Sequence, residues 1–256
     1  TILDVASGVD GGGFYIKGHS FASLDNLQGI SFVTQRRGGF AYVTEASELS
    51  LTQSSMASCS VQESGGFVHS TQSSRVHLQT STVSITKSGD VGGSIALYDD
   101  SKLLGDGRST LINTTAVTNG GGIYLDSSNV SVVGVKVKSG LALLGGGIYC
   151  DGTKSSLSHV HLVECTGMNG GGGLFLTNNA EVKVSQTTID RCKSSIGGGC
   201  HVTEKSVLTG LEISMRNNTA DRGGGAMVEK RSVARVSTLL VIGNRAKNGA
   251  GVCLRD

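Results

Sequence analysis

A glycine cluster followed by a short hydrophobic run recurs along the whole chain. "GGGIYLDSS", which begins at Gly120, is echoed by "GGGIYCDGT", which begins at Gly145. The spacing of these clusters is about 26 residues, and self-similarity at a period of this length predicts a solenoid of stacked coils. The last glycine of each cluster occupies these positions: Gly13, Gly39, Gly66, Gly93, Gly122, Gly147, Gly173, Gly199, Gly225 and Gly251.

The residues between the glycine clusters predict strands rather than helices. Apolar residues alternate with polar ones and are often β-branched, as in "EVKVSQTTI". The unit after Gly173 contains "LFL", "VKV" and a segment around Ile189, which are three candidate strands. Because parallel crossovers are nearly always right-handed, the sequence predicts an all-β, right-handed parallel β-helix of roughly ten coils.

The composition agrees with one folded domain over residues 1–256. The chain has 39 Gly and no Pro, yet 38% of its residues are hydrophobic, so a core is possible despite the glycine content. A net charge of +2 gives no basic field for nucleic acid. No run approaches the roughly 18 apolar residues of a membrane span. The bare terminal coils lead us to expect a segment of a longer chain, cut at both ends.

The glycines are expected at the corners of the coils. Equivalent residues of successive coils lie about 4.8 Å apart, so a corner that needs positive φ or close backbone approach needs glycine in every coil. The predicted corner glycines are Gly39, Gly66, Gly93, Gly122, Gly147, Gly173, Gly199 and Gly225.

The run after each corner predicts one outward column of apolar residues. The first and third residues of the run are mostly apolar and are expected to face the core, so the second faces outward. A contiguous exposed apolar stripe indicates a binding surface for another chain, another domain or a sugar. Local cover by a loop is the alternative. The predicted interface residues are Tyr15, Val68, Ile95, Tyr124, Tyr149, Phe175 and Met227.

Two late repeats resemble those of a known family. "NNTADRGGGAMV", from Asn217, and "GNRAKNGAGV", from Gly243, approach the form N-x-A-x-x-G-G-G-hydrophobic. This form resembles the GGAI-type repeats of polymorphic outer membrane proteins and similar surface proteins with pectin-lyase-like β-helices. Earlier units such as "QRRGGFAYV" lack the Asn and Ala. The resemblance implies a β-helix at a cell surface.

Two aspartates are the candidates for chemistry. Asp126 and Asp151 occupy the same place in adjacent units, and paired carboxylates can bind Ca²⁺ or act as acid and base. The column continues with Thr177, Thr203 and Glu229, which favours solvated corner carboxylates. We therefore expect no catalytic residue, no cofactor and no metal site.

The cysteines and asparagines near the returning turn are expected to stack. Cys165 and Cys192 are the best candidates for a disulfide, with buried free thiols as the alternative. Asn218 and Asn244 are expected to form an amide ladder along the turn backbone. Three N-x-[ST] sequons permit glycosylation, at Asn113, Asn129 and Asn217.

These features favour a non-enzymatic structural or adhesive rod, extracellular or at a cell surface, within a filament or surface assembly. Its expected partners are other protein chains, further copies of itself and glycans, but not nucleic acid. The alternative is an extracellular β-helix that binds or cleaves carbohydrate.

Overall fold

The computed structural model describes residues 2–256, and over that range the chain forms strands and turns without a helix. Every strand pairing is parallel. The chain is a parallel β-solenoid of about nine turns with a spacing near 27 residues, so the predicted fold is confirmed with one turn fewer than expected.

The strands follow one another in chain order with these bounds: β1 (Ile2–Ser7), β2 (Phe14–Ile16), β3 (Phe21–Asp25), β4 (Gln28–Thr34), β5 (Ala41–Val43), β6 (Glu48–Thr52), β7 (Ser55–Val61), β8 (Val68–Ser70), β9 (Arg75–Gln79), β10 (Thr82–Ser88), β11 (Ile95–Leu97), β12 (Lys102–Ala116), β13 (Ile123–Lys138), β14 (Leu141–Leu144), β15 (Ile148–Ser158), β16 (His161–Val163), β17 (Thr166–Gly170), β18 (Leu174–Thr177), β19 (Glu181–Asp190), β20 (Lys193–Ser194), β21 (Cys200–Val202), β22 (Val207–Arg216), β23 (Ala226–Val228), β24 (Val233–Val236), β25 (Leu239–Ile242) and β26 (Val252–Leu254).

Each coil contributes to three faces of the solenoid. Face A follows the glycines and holds β2, β5, β8, β11, the starts of β13 and β15, β18, β21, β23 and β26. Face B comes next and runs from β3, β6 and β9 to β24. Face C runs from β1, β4, β7 and β10 to β25. The long strands β12, β13, β19 and β22 turn a corner and serve both face B and face C.

The core is built from columns of apolar side chains, one per coil. On face B, Leu49, Val76, Leu103 and Val132 are aligned one above another and fully buried. Burying a side chain of this size contributes about 1.5–3 kcal/mol, so the columns stabilise the stacking of coil on coil.

The predicted corner glycines fall into two different columns. Gly39, Gly66 and Gly93 occupy the second place of the glycine turn, whereas Gly122, Gly147, Gly173, Gly199 and Gly225 occupy the third. The first coil has Gly13 at the third place, and the next three coils fill it with Phe40, Phe67 and Ser94. When strand positions are counted from the last glycine of a cluster, the residues of these three coils are therefore placed one position away from their true equivalents in the late coils, a slip of one residue.

The first glycine of each cluster has the positive φ that the corner requires. Gly65, for example, has a φ of 68°, a conformation that a Cβ disfavours. The second place requires glycine because the backbones of adjacent coils approach closely there. A Cβ on Gly66 would collide with the carbonyl oxygen of Gly93 in the next coil. The corner was thus correctly predicted, but its positive-φ residue was not.

The same slip reverses the orientation of two predicted interface residues. Val68 and Ile95 belong to the core cluster and are 0% exposed. They align with Ile123, so they point inward, and the prediction that they face outward is wrong. A one-residue slip moves a strand residue to the opposite face. The outward column instead contains Tyr42, His69 and Ala96 in those coils.

Serine hydroxyls form ladders at the two corners that flank face B. Ser47 Oγ accepts a hydrogen bond from the Ser20 N–H at 3.1 Å, and Ser74 Oγ accepts one from the Ser47 N–H at 3.2 Å. At the other corner, Ser81 Oγ accepts from the Ser54 N–H at 3.1 Å. The sequence analysis missed these ladders, whose signal is serine at the coil spacing.

The six cysteines are free thiols, so the predicted Cys165–Cys192 disulfide is wrong. The two residues do stack in adjacent coils. Their thiols contact backbone carbonyls, Cys165 Sγ with Val163 O and Cys192 Sγ with Asp190 O, each at 3.5 Å, and also interact with each other without a covalent bond. In-register parallel strands hold equivalent Cβ atoms about 4.7–4.9 Å apart, which exceeds the roughly 3.5–4.5 Å of a disulfide.

The predicted amide ladder is confirmed in the last coils. Asn218 Oδ1 accepts from the Cys192 N–H at 2.8 Å, and Asn244 Oδ1 accepts from the Asn218 N–H at 2.8 Å. Asn218 Nδ2 also donates to Ile189 O at 3.0 Å. Each amide thereby satisfies turn backbone groups of the coil before it.

Candidate functional site

The outer side of face A carries a continuous stack of rings, which we call the aromatic ladder. Neighbouring ring centroids lie between 4.9 Å, for His69–Tyr98, and 5.7 Å, for Tyr98–Tyr124. Such stacks contribute about 0.5–1.5 kcal/mol per pair beyond area burial. The ladder consists of Tyr15, Tyr42, His69, Tyr98, Tyr124, Tyr149, Phe175 and His201.

One rung of the ladder comes from an unexpected position. Ala96 occupies the equivalent of Tyr124 in its coil and has no ring. Tyr98, two residues further along the same coil, places its ring between His69 and Tyr124. Sequence alignment by column alone cannot find this substitution, because Tyr98 lies outside the column.

Most of the ladder is covered rather than exposed. Tyr124 is only 7% exposed, whereas Tyr15 is 53% exposed. Val91 and Leu144, which precede the glycine clusters, pack against the rings as a second apolar cluster separate from the core. Local cover, the alternative that the sequence left open, therefore accounts for most of this column. The predicted interface residues Tyr149 and Phe175 are buried in this cluster, and Met227 is also buried.

Three rings in the middle of the ladder, those of His69, Tyr98 and Tyr124, are uncharged at ordinary pH. Burial, with a contribution from the nearby Arg37 cation, lowers the pKa of His69 to about 3, and its Nδ1 lies 2.8 Å from Ser64 Oγ. Burial raises the pKa of Tyr98 and of Tyr124 well above the usual value for tyrosine. These groups carry no charge to offer a ligand, so their arrangement stabilises the rod.

The two candidate aspartates lie side by side, as the sequence indicated. Asp126 and Asp151 are aligned in adjacent coils. Asp151 accepts hydrogen bonds from Tyr124 Oη at 3.2 Å and from Asn178 Nδ2 at 2.6 Å. Among residues 2–256, no three His, Cys, Asp or Glu side chains come together to hold a metal ion. The bonds to Asp151 favour a structural role for this carboxylate.

The three sequon asparagines lie at exposed positions. Asn113, Asn129 and Asn217 are exposed and have positive φ. Asn217 also donates from Nδ2 to Asp190 Oδ1 at 3.2 Å. Glycosylation of these residues stays a prediction.

Face B carries a concave surface that the sequence analysis missed, which we call the basic groove. Its volume is about 960 Å³. Aspartate and glutamate contribute only Asp100 and Glu181 to its lining, while five basic side chains line it: Arg75, Lys102, Lys154, Lys183 and Arg235. The signal in the sequence is a basic residue that recurs at multiples of the coil spacing, as from Arg75 to Lys102.

The fold and these two surfaces define the class of the chain as a parallel β-solenoid. No family model, no curated protein and no solved structure matches it significantly. The part of the chain that the structure describes also contains no helix long and apolar enough to cross a membrane.

Proposed function

We propose that this chain is a non-enzymatic structural rod, extracellular or at a cell surface, that serves a filament or an adhesive assembly. The observation that carries the proposal is the aromatic ladder. Each stacking contact joins one coil to the next, as Tyr149 joins Tyr124 at 5.5 Å and Phe175 at 5.2 Å. Side chains that could form a ligand site instead strengthen the solenoid along its axis.

The proposed location follows from the resemblance of the repeats. The units from Asn217 and from Gly243 resemble the GGAI-type repeats of polymorphic outer membrane proteins, which belong to surface β-helices. The amide ladder of Asn218 and Asn244 gives the Asn of this form a physical purpose, because each amide bonds backbone groups of the preceding coil. This supports a common corner design and, through it, a place at a cell surface.

Contacts with other protein chains are part of the proposal, but the surface for them is smaller than the sequence indicated. Tyr15 is the half-exposed end of the aromatic ladder, stacked on Tyr42 with ring centroids 5.2 Å apart. A neighbouring chain that binds face A is therefore expected to contact the rod near Tyr15.

Polysaccharide cleavage is the weaker candidate. A glycosidase needs two carboxyl groups that flank the bond to be cut. Asp151 is engaged by Tyr124 and Asn178, and neither Asp126 nor Asp151 lines the basic groove. No observation on the described residues favours this candidate over the rod.

Antibodies against the chain test the proposal on the cells that produce it. The expected result is labelling of intact cells, with label on filaments or on the cell envelope in electron micrographs. Labelling that appears only after permeabilisation would contradict the proposed location. Release of reducing ends from a panel of polysaccharides by the purified chain, abolished in the Asp151→Asn variant, would contradict the non-enzymatic role.

A further inference from the structure

The basic groove is organised by the register of face B. One outward column runs through seven consecutive coils, from Arg75 to Arg235. At about 4.8 Å per coil the column is about 29 Å long. Lys154 lies two residues before Ser156 on the same strand and therefore on the same side. Basic residues occur in five of the seven coils, and the column consists of Arg75, Lys102, Ser131, Ser156, Lys183, Thr209 and Arg235.

Acidic neighbours neutralise this charge only in part. Arg75 Nη1 lies 3.9 Å from Glu48 Oε2, and Lys154 Nζ lies 3.9 Å from Glu181 Oε2. The other three cations, among the residues that the structure describes, have no carboxylate within 4.0 Å: Lys102, Lys183 and Arg235.

The charge of the groove is a local feature. Its lining holds five basic and two acidic side chains, and Glu48 pairs with Arg75 at its edge, which leaves an excess of two positive charges, while the whole chain has a net charge of +2. The rest of the molecule therefore carries no net charge. A concave surface with charge of one sign concentrates the field and attracts ligands of the opposite sign.

The groove also offers hydroxyl and amide groups between its cations. Ser131 and Ser156 lie in the middle of the column, where Ser156 Oγ donates to Ser131 Oγ at 3.1 Å. Thr209 is exposed within the column, and Asn129 is exposed beside it. Cations with small polar groups between them suit a polymer that carries both anions and hydroxyls along its length.

An acidic polysaccharide fits these features better than a nucleic acid. Proteins that bind single-stranded nucleic acids stack bases on aromatic side chains, and the described lining of the groove includes no aromatic residue. Domains that bind duplexes are in general strongly basic, whereas this chain is nearly neutral.

We infer that the basic groove binds a linear acidic polysaccharide, carboxylated or sulfated, which lies along the axis of the rod. The cations bind its acidic groups, and the hydroxyl and amide side chains bind its sugar hydroxyls. This inference goes beyond the structural role, because it requires neither a cell-surface location nor a protein partner.

Binding to immobilised heparin and to immobilised alginate tests the inference, with neutral dextran and an oligothymidylate as further ligands. The test variant is Lys102→Gln/Lys183→Gln, and the control is Lys87→Gln/Lys193→Gln. The control removes the same charge from exposed lysines outside the groove. Because all four lysines are exposed, thermal melts of the variants should match that of the unmodified chain.

We expect the chain to bind at least one acidic polysaccharide and not dextran, and to lose affinity as salt rises. The groove variant should bind about tenfold more weakly and the control within about twofold. Three outcomes would overturn the inference. They are no binding to either acidic polysaccharide, an equal loss in the control, or tighter binding of the oligothymidylate through Lys102 and Lys183. A failure of cell-surface labelling would leave this result unchanged, so the two proposals fail separately.

Discussion

Early and late coils fill the same corner in opposite ways. In early coils the third place of the glycine turn holds Phe40 and Phe67, whose rings stack at 5.1 Å with an interplanar angle of 9°. In late coils this place is glycine, and a Cβ on Gly199 would lie 3.0 Å from Asn218 Nδ2. A large ring therefore fills the early corner, and a buried amide fills the late one.

The difference teaches that one backbone corner accepts either an apolar or a polar interior. The phenylalanine ring contributes buried apolar area. The asparagine amide contributes hydrogen bonds to backbone groups of the turn that would otherwise have no partner. Cys59 and Asn218 occupy the same inward column, separated by five coils that hold Thr86, Thr114, Gly140, Cys165 and Cys192 at this place. The residue at the third place of the glycine turn must match the inward residue opposite it. A ring and an amide are therefore not interchangeable within one coil.

The largest expected effect is on the apolar corner. Phe67→Ala should lower the free energy of unfolding by about 3–5 kcal/mol, because it removes a fully buried ring and leaves a cavity. Urea unfolding measures this. Phe21→Ala is the matched control, since Phe21 is 64% exposed and its loss should cost less than about 0.5 kcal/mol. Equal effects at the two positions would show that Phe67 does not fill the corner.

The polar corner should be nearly as sensitive. Asn218→Leu removes the partners of the Cys192 N–H and of Ile189 O, both buried, and should cost about 3 kcal/mol. The neighbouring Asn217→Gly changes an exposed amide, is compatible with the positive φ of this position and should cost less than about 1 kcal/mol. An Asn218→Leu variant as stable as the unmodified chain would show that the hydrogen bonds of the amide do not stabilise the late corner.

The aromatic ladder offers a smaller test on face A. Tyr124→Phe keeps the stacked ring but removes the hydrogen bond to Asp151, and should cost about 1 kcal/mol. Phe175 shows that a ring without a hydroxyl is accepted in this column. A loss as large as that of Phe67→Ala would mean that the hydroxyl, rather than the stacking, holds the ladder together.

The smallest effect is expected at the exposed turn between faces B and C. Slight desolvation raises the pKa of Asp106, but the hydrogen bonds that its carboxylate accepts, chiefly from Thr80 and from the Arg108 N–H, outweigh this and lower the pKa to about 2. The stabilisation is thus present above the unfolded pKa near 3.9 and is lost as the pH falls towards 2. Asp106→Asn should slightly lower the melting temperature at pH 7 and not at pH 2. A difference that persists at pH 2 would contradict this account.

The sequence predicted the glycine corner that repeats in every coil and the amide ladder of the last coils, but missed the serine ladders although serine also recurs at the coil spacing. The glycine spacing gave the parallel solenoid, and Asn218 and Asn244 gave the amide ladder. The orientation of Val68 and Ile95 was wrong because Phe67 and Ser94 replace a glycine, which shifts the count by one residue. The disulfide was wrong because Cα spacing alone ignores the parallel direction of stacked Cβ atoms.

The functional surfaces were harder to predict because they combine residues from unlike positions. Val91 covers the ladder from a segment before the glycines, and Tyr98 enters it from outside its column. The basic groove takes cations from five coils, with Lys154 offset by two residues from Lys183's column. Only the stacked register brings such residues together.

The most direct test of the uninterrupted solenoid is a distance between an early and a late coil. Nitroxide labels on Arg75→Cys/Arg235→Cys, in a Cys253→Ser background, report on six coil spacings by double electron–electron resonance. The other five cysteines are buried and should not react. The account predicts one narrow distribution centred near 29 Å. A broad distribution, or a centre beyond about 40 Å, would contradict the stacking of these coils in one continuous register.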